Sequence, residues 1–264
     1  MAFFAKGLHA RRHKTARTVG ALLLREMATS YGRSPGGYAW AILEPVAGIA
    51  LLSIVFSAAF RAPPLGTSFP LFYASGFLPF VFYLGLSSKV AASIQFSKSL
   101  LSYPAVTYFD AILARFLLTS LTHIMVFALV IWGIIWFGDM RPILDPFHII
   151  NAMCMAAALG LGVGTLNCFL MSMFPIWGQA WAIVNKPLLI ISGVLFLFDS
   201  IPRPFNEFLV FNPLVHVVGE MRRGFYTNYQ GSYIEPLYVY LGSFAAFGIG
   251  LLLLNRYNRT ILND

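Results

Sequence analysis

Glu44 and His123 are titratable side chains that lie inside long apolar stretches of this sequence. A titratable group at membrane depth often marks a pathway for protons or ions. Glu44 directly precedes Pro45, whose ring leaves backbone groups free near a helix start, so it could contact a substrate or pair with a nearby arginine. His123 is more simply explained as a buried imidazole bonded to a neighbouring helix. Such residues are too sparse to indicate a carrier driven by protons or ions.

The chain offers little for catalysis, metal binding or nucleotide binding. Its five histidines are scattered, without an H-x-x-x-H spacing or an adjacent pair of cysteines, so we expect no metal site. The sequence lacks the G-x-x-x-x-G-K-[ST] loop that cradles the phosphates of ATP. No Ser-His-Asp arrangement stands out, although residues distant in sequence can meet in space. We therefore predict a protein that is not itself an enzyme and that binds no cofactor of its own.

The composition indicates that lipid surrounds most of this 264-residue chain. Hydrophobic residues make up 58 % and charged residues 11 %, with a mean hydropathy of +0.74. A soluble domain carries about 25 % charged residues, so cytosolic enzymes, secreted domains and nucleic-acid readers are excluded. The net charge of +8 then reflects the lysine and arginine that membrane proteins keep on their cytoplasmic side.

Six apolar stretches approach the length of about 20 residues that crosses a bilayer. We predict spans at Tyr38–Phe60, Leu71–Ala91, Ala111–Phe137, Ile149–Phe174, Ala180–Phe198 and Tyr238–Leu254. Lysine and arginine concentrate in the N-terminus, in the loop between spans two and three, and in the tail, which predicts that both termini are cytoplasmic. The predicted fold is an all-α polytopic membrane protein, with a cytoplasmic N-terminus over residues 1–37 and one six-span domain over 38–264.

Three further segments do not look like ordinary spans. Residues 18–32 have the periodicity of an amphipathic helix that lies in the membrane interface. Its predicted apolar positions are Val19, Leu23, Met27 and Tyr31, with Leu22 beside them. Residues 87–110 predict a structured cytoplasmic element between spans two and three, and residues 199–235 hold short apolar pieces broken by prolines. The latter pattern predicts a re-entrant helical hairpin on the outer side, before the last span.

Three motifs, in order along the chain, resemble the permeases of ABC-type polysaccharide exporters. The first is LLLREMATSYGRSPGGYAWAILEP, from Leu22 to Pro45. The second is KSLLSYPAVTYFDAILAR, from Lys98 to Arg115, and the third is FNPLVHVVGEMRRGFY, from Phe211 to Tyr226. Jointly they are similar to the group 2 capsular polysaccharide export permeases of Gram-negative bacteria. Ser34-Pro35 departs from the pattern, because the family often has a basic residue there.

This resemblance implies a multi-pass permease of the bacterial inner membrane, without a nucleotide site, that works as a homodimer. Two copies of a separate cytoplasmic ABC ATPase would bind ATP and Mg²⁺ and drive it. The implied cargo is a lipid-linked acidic capsular polysaccharide, passed from the cytoplasm to the periplasm towards periplasmic and outer-membrane export proteins, with no nucleic-acid partner. Another lipid-linked glycan, such as O-antigen or teichoic acid, is an alternative cargo. A secondary transporter and a transferase acting on lipid-linked sugars are alternatives of other classes.

The candidate residues form three groups under this interpretation. Aromatic rings can guide a sugar chain, and basic side chains can bind either its acidic groups or lipid phosphates. The substrate-path candidates are Arg25, Arg33, Tyr38, Trp40, Glu44, Phe80, Tyr83, Lys89 and Arg115. Apolar residues in a water-facing loop suit docking into an ATPase, and the coupling candidates are Leu100, Leu101, Tyr103, Pro104 and Val106. The outer-side motif contributes Asn212, Pro213, His216, Glu220 and Arg222.

Overall fold

The structure is a computed structural model that describes residues 17–27, 37–101 and 106–263. Its elements are α1 (residues 17–27), α2 (Tyr38–Ala59), α3 (Phe69–Ala91), α4 (Ser93–Leu101), α5 (Tyr108–Phe137), α6 (Pro146–Met173), α7 (Trp177–Ile191), α8 (Phe205–Leu209), α9 (Pro213–Phe225) and α10 (Pro236–Asn263). The described residues contain no strand, so the predicted all-α class is confirmed for them. Among the predicted positions, residues 28–32, Arg33, Tyr103 and Pro104 lie outside the described ranges.

Five helices of the described chain are long and apolar enough to cross a bilayer. They are α2 from Ala39, α3, α5, α6, and α10 as far as Tyr257. These match five of the six predicted spans to within a few residues. We call the end of the bundle at which α2 begins the near end, and the opposite end the far end.

The fifth predicted span differs from the observed helix at its C-terminal side. The helix α7 has 15 residues and is therefore about 22 Å long, shorter than a hydrocarbon core of about 30 Å. It stops at Ile191 because Gly193 adopts a φ of +75°, the left-handed conformation that ends helices. The prediction that the helix continues to Phe198 is thus wrong, since residues 192–197 form a turn.

The helix α6 occupies the centre of the bundle, between α3 and α10. Gly160 and Gly164 bring α6 close to Leu86 and Val90 of α3, and Gly162 brings it close to the backbone of α10. Small residues allow the backbones to approach closely, and the resulting van der Waals contacts stabilise the association of helices in lipid. Residues near the start of α10 contact the start of α6, and later residues contact later ones, so the two helices run parallel.

We expect Gly162→Ala to destabilise the bundle, because a Cβ at this position would collide with the backbone oxygen of Ser243. Overpacking of this kind costs roughly 1–3 kcal/mol. The matched control is Gly248→Ala in α10, where a Cβ meets nothing within 4 Å and alanine favours the helix. Melting temperatures of the purified variants in detergent should fall only for Gly162→Ala. Equal melting temperatures would contradict the close packing of α6 on α10.

The helices α2 and α7 are poorly covered by the rest of this chain. No residue of α7 is buried, and α2 buries only Pro45, Ile49 and Ser53 of its described side chains. The helix α7 is attached to α6 through the indole N–H of Trp177, which donates to the side-chain oxygen of Asn167 at 2.8 Å. Large apolar areas of α2 and α7 are therefore left for lipid or for another chain.

Candidate functional site

A buried ion pair joins α1 to α5 at the near end of the bundle. Nε of Arg115 lies 3.0 Å from Oε1 of Glu26, and both residues are only 5 % exposed. The Arg115 guanidinium also donates to the backbone oxygen of Lys89 at 2.9 Å and lies 4.2 Å from the ring centre of Phe96. The guanidinium of Arg25 lies 5.5 Å from the same ring. These five residues, the near-end cluster, connect α1, α3, α4 and α5.

The electrostatics of the near-end cluster are predominantly positive. Burial raises the pKa of the Glu26 carboxyl, while the charges of Arg115, Lys89 and Arg25 act in the opposite direction. The Lys89 side chain is exposed and Arg25 is half-buried. The cluster therefore both holds four helices together and presents cationic groups towards the near end, where they can attract an anionic headgroup.

The buried face of α1 differs in part from the predicted one. The structure buries Val19, Leu22 and Glu26, whereas Leu23 is half-buried and Met27 is exposed. The carboxylate lies on this face because it is seven residues after Val19 and four after Leu22, which places the three on one side of a helix. Its partner is supplied by α5, so this face of α1 packs on protein.

The short helix α4 follows α3 after a single residue, Ala92, and packs against α5 and α6. Ser93, at its start, lies 3.4 Å from the sulfur of Cys168 in α6. The start of α5 has a capping box, in which the Thr107 hydroxyl accepts from the backbone N–H of Asp110 and the Asp110 carboxylate accepts from that of Thr107. Asp110 therefore helps to fix the start of α5.

The predicted coupling residues are separated by the structure. Leu100 and Leu101 are the last two residues of α4. Val106 is half-buried and packs against Leu22 of α1 and Ala114 of α5, so its side chain faces inward. The coupling role predicted for Val106 therefore stays a prediction, to which its side chain would contribute by packing on α1 and α5.

The substrate-path candidates also lie in different places. Phe80 and Tyr83 are buried in the core of the bundle, because α6 covers this side of α3. Within this chain they are core residues, and their predicted place along the substrate path stays a prediction. Trp40 and Glu44 are exposed on α2, and Tyr38 is its first residue.

A second cluster of polar side chains lies at the far end, around Glu220 of α9. The Glu220 carboxylate accepts from the amide of Asn151 at 2.7 Å and contacts Nδ1 of His148 at 3.0 Å. Arg223 donates to the same carboxylate at 3.4 Å. Glu220 therefore ties α9 to the start of α6, and its charge is compensated although the residue is fully buried.

His216, also on α9, connects the segments before and after this helix. Its Nδ1 accepts from the backbone N–H of Glu235, so Nε2 carries the proton and donates to the backbone oxygen of Val210. The distances are 3.0 and 2.7 Å. The imidazole is thus neutral in this arrangement and has a structural role at the start of α10.

Arg222 fixes the turn that ends α7. The guanidinium donates to the backbone oxygens of Phe196 at 2.9 Å and Val194 at 3.0 Å and lies 4.4 Å from the ring centre of Phe72. Asn212, whose side chain also caps α9, donates to the backbone oxygen of Ile191 at 3.0 Å. The predicted outer-side motif therefore brings together Asn212, His216, Glu220 and Arg222 as a far-end cluster that supports the backbone, with Pro213 as first residue of α9.

An apolar groove of about 590 Å³ runs between α2 and α5. Its walls include Ile49 and Ile54 of α2 and Leu129, Val130 and Ile134 of α5. Hydrocarbon suits such a surface better than a sugar chain does, because few polar groups are present to bind hydroxyls.

Sequence reasoning missed several residues that the structure brings into contact. Glu26 was part of a recognised motif, and its spacing from Val19 and Leu22 would have indicated a buried acid. Phe96, His148 and Asn151 gave no signal, because their partners are distant in sequence and only the tertiary structure brings them together.

Comparisons with known proteins give consistent matches. The model of the family described as "ABC-2 type transporter" matches residues 17–226. The polysialic acid transport protein KpsM of Escherichia coli is 31 % identical over 248 residues, which cover 94 % of this chain and 96 % of that protein. The capsule polysaccharide export inner-membrane proteins CtrC of Neisseria meningitidis serogroup A and BexB of Haemophilus influenzae are 28 % and 26 % identical, each over 251 residues, 93 % of this chain and 92 % of theirs.

Proposed function

This chain belongs to the ABC-2 type transporter family, and on that premise we propose that it is the membrane subunit of an ATP-driven exporter of a lipid-linked acidic capsular polysaccharide. The observation that carries the proposal is the similarity to capsule and polysialic acid export proteins over almost the full length of both chains. Export would run from the cytoplasm to the periplasm across the bacterial inner membrane. A separate ABC ATPase would bind ATP and Mg²⁺.

The topology proposed for this function has six crossings, with both termini in the cytoplasm. The parallel course of α6 and α10 supports it, because the chain between them must return from the near end to the far end. The helix α7 and the turn after it lie on that return, since Asn212 binds the backbone oxygen of Ile191 and Arg222 those of Val194 and Phe196. The short helices α8 and α9 would then form the re-entrant hairpin. Exposed lysines at the near end, Lys89 and Lys98, favour the near end as the cytoplasmic one.

A homodimer follows from the width of the cargo and the exposure of α2 and α7. One copy offers too few helices to surround a polysaccharide, and closed two-fold assemblies are the commonest oligomers. The uncovered faces of α2 and α7 supply the surface that a second copy can cover. Two differently tagged copies should therefore purify together from membranes.

The near-end cluster supports a role for α4 in receiving mechanical input from the ATPase. Phe96 of α4 contacts Arg115 of α5, and Arg115 in turn binds Glu26 of α1. A displacement of α4 is therefore passed to the membrane helix α5 and to the interface helix α1 through short contacts. Leu100 and Leu101 at the end of α4 are the proposed docking residues for the ATPase, together with Tyr103 and Pro104.

We expect Leu101→Asp to separate the permease from its ATPase while leaving membrane insertion intact. A carboxylate buried without a partner costs several kcal/mol, enough to undo a small docking contact. The measurement is copurification of the ATPase with the tagged permease, together with polysaccharide at the cell surface. Thr67→Asp, in an exposed loop at the far end, is the matched control. Full ATPase binding and full export by Leu101→Asp would show that α4 is not the coupling element.

Two experiments distinguish this function from the alternatives. One identifies the glycan that accumulates in a strain lacking this protein, and the other identifies the energy source of export. Deletion should leave capsular polysaccharide inside the cell, whereas accumulation of O-antigen or teichoic acid would identify another cargo. Export that survives a protonophore but stops on ATP depletion would exclude a secondary transporter. A lipid-linked sugar transferase would instead leave the glycan unfinished in the deletion strain.

A further inference from the structure

We infer that Glu44 of one copy and Lys186 of a second copy form an ion pair inside the membrane, linking α2 to α7 across the interface. The inference rests on the homodimer proposed above. The two residues carry opposite charges and lie on two long helices that this chain covers poorly.

Glu44 lies on the outward face of α2. The inward face is marked by the buried residues Pro45 and Ile49, while Trp40 is 57 % and Leu51 63 % exposed on the opposite side. Glu44 shares that exposed side, because it is four residues after Trp40 and seven before Leu51. No described residue forms an ion pair or hydrogen bond with its carboxylate. Helix geometry places it about 9 Å along the axis from the start of α2.

Lys186 lies on the outward face of α7. Ile183 and Ile190, three residues before it and four after it, are 65 % and 54 % exposed, and Lys186 is exposed with them. The half-buried residues Trp181 and Leu188 mark the side that faces α6. Lys186 has no ion-pair partner among the described residues. It is about 14 Å along the axis from the start of α7.

Both charges lie within about 14 Å of the near-end start of their helices. Since α2, α3, α5 and α6 alternate in direction, α7 begins at the near end as α2 does. The difference of about 5 Å along the two axes is one that the flexible four-carbon side chain of lysine can bridge. Within one chain, α2 packs on α3 and α5 whereas α7 packs on α6, so the pair is formed between copies.

A second copy of the chain is the partner whose charges complement the outward faces of both α2 and α7. A single exposed charge at this depth is unfavourable in lipid, and such residues are found paired or facing water. A two-fold axis places Glu44 opposite Lys186 twice, so two symmetry-related pairs neutralise all four charges. The pair would fix the register of α2 against α7 at the seam between the subunits.

Charge exchange tests the pair in the full complex with its ATPase, in cells that lack the native copy. Glu44→Lys and Lys186→Glu should each lower copurification of differently tagged copies, and export, by about tenfold or more. The double variant Glu44→Lys/Lys186→Glu should restore both to within about threefold of the original protein. The matched control is Glu44→Lys/Arg61→Glu, which has the same net charge but places the new acid in an exposed far-end loop, so it should not restore them.

Crosslinking supplies a second, independent measurement. Glu44→Cys together with Lys186→Cys, in a Cys154→Ser background, should give a covalent dimer on oxidation, because Cys154 is the exposed native cysteine. If the original protein copurifies as a dimer but the double charge exchange restores nothing, the ion pair is overturned while the homodimer stands. Each charge then acts separately, on lipid phosphate or on the acidic cargo. If the original protein is a monomer, the homodimer itself fails.

Discussion

Arg222→Met is expected to abolish export and to loosen the turn at residues 192–198. The native side chain is 1 % exposed and donates to the backbone oxygens of Val194 and Phe196. Burial lowers the pKa of the Arg222 guanidinium, yet arginine remains protonated at any physiological pH. Methionine would fill much of the volume but leave two buried carbonyls without a donor, at about 1–3 kcal/mol each. The end of α7 would then lose the contact that positions it against α9.

The measurements for this variant are the melting temperature, hydrogen exchange across residues 192–198 and surface polysaccharide. Arg222→Lys should fail almost as badly, because an ammonium lacks the planar fork that serves two carbonyls and stacks on Phe72. Arg61→Met is the matched control, since that arginine is exposed in a loop at the far end. Hydrogen exchange that is unchanged in Arg222→Met would refute the assigned role.

Arg115→Met should be the second severe substitution, because it leaves the buried carboxylate of Glu26 without its partner. Removing one member of a buried ion pair costs roughly 3–5 kcal/mol, mainly through the charge left behind. The variant also loses the hydrogen bond to Lys89 and the contact with Phe96 that connects α4 to α5. We therefore expect a lower melting temperature together with weaker coupling of ATP hydrolysis to export.

The loss in Arg115→Met should depend on pH in a definite direction. Burial already raises the pKa of Glu26, and removing the opposing charge of Arg115 raises it further. A carboxyl whose pKa is higher in the folded state contributes stability at low pH and loses it as pH rises through the folded value. The difference in melting temperature between Arg115→Met and the original protein should therefore shrink towards acidic pH.

A second substitution separates the charge from the packing. Glu26→Gln in the Arg115→Met background removes the unpaired carboxylate, so the double variant should be more stable than Arg115→Met alone at neutral pH. It should also lose the pH dependence. Additive losses from the two substitutions would mean that Glu26 and Arg115 do not interact.

The sequence predicted the membrane helices well because bilayer thickness imposes a length that composition alone reveals. Five of the six predicted spans coincide with described helices within a few residues. The error at the fifth arose because residues 192–197 are as apolar as a helix, whereas Gly193 takes a left-handed conformation supported by donors from α9. Hydropathy does not distinguish an apolar turn satisfied by distant donors from an apolar helix.

For the candidate residues too, the sequence predicted positions, whereas the tertiary structure showed their contacts. Motif positions such as Asn212, His216 and Arg222 were found from sequence, but their action on backbone carbonyls was not. Phe80 and Tyr83 looked like lining residues because aromatic clusters occur both in cores and along sugar paths. Only the packing of α6 on α3 shows which of these applies within the chain.

The sequence by itself determined that lipid surrounds most of the chain, how many long apolar stretches it has and which motifs it shares with polysaccharide exporters. These properties depend only on local composition and on the order of residues along the chain. The tertiary structure alone decided which buried charges have partners. Glu26 and Arg115 are 89 positions apart, and their ion pair exists because α1 lies across the start of α5. Glu44 and Lys186 stay exposed because the outward faces of α2 and α7 are not covered by any described helix of the same chain.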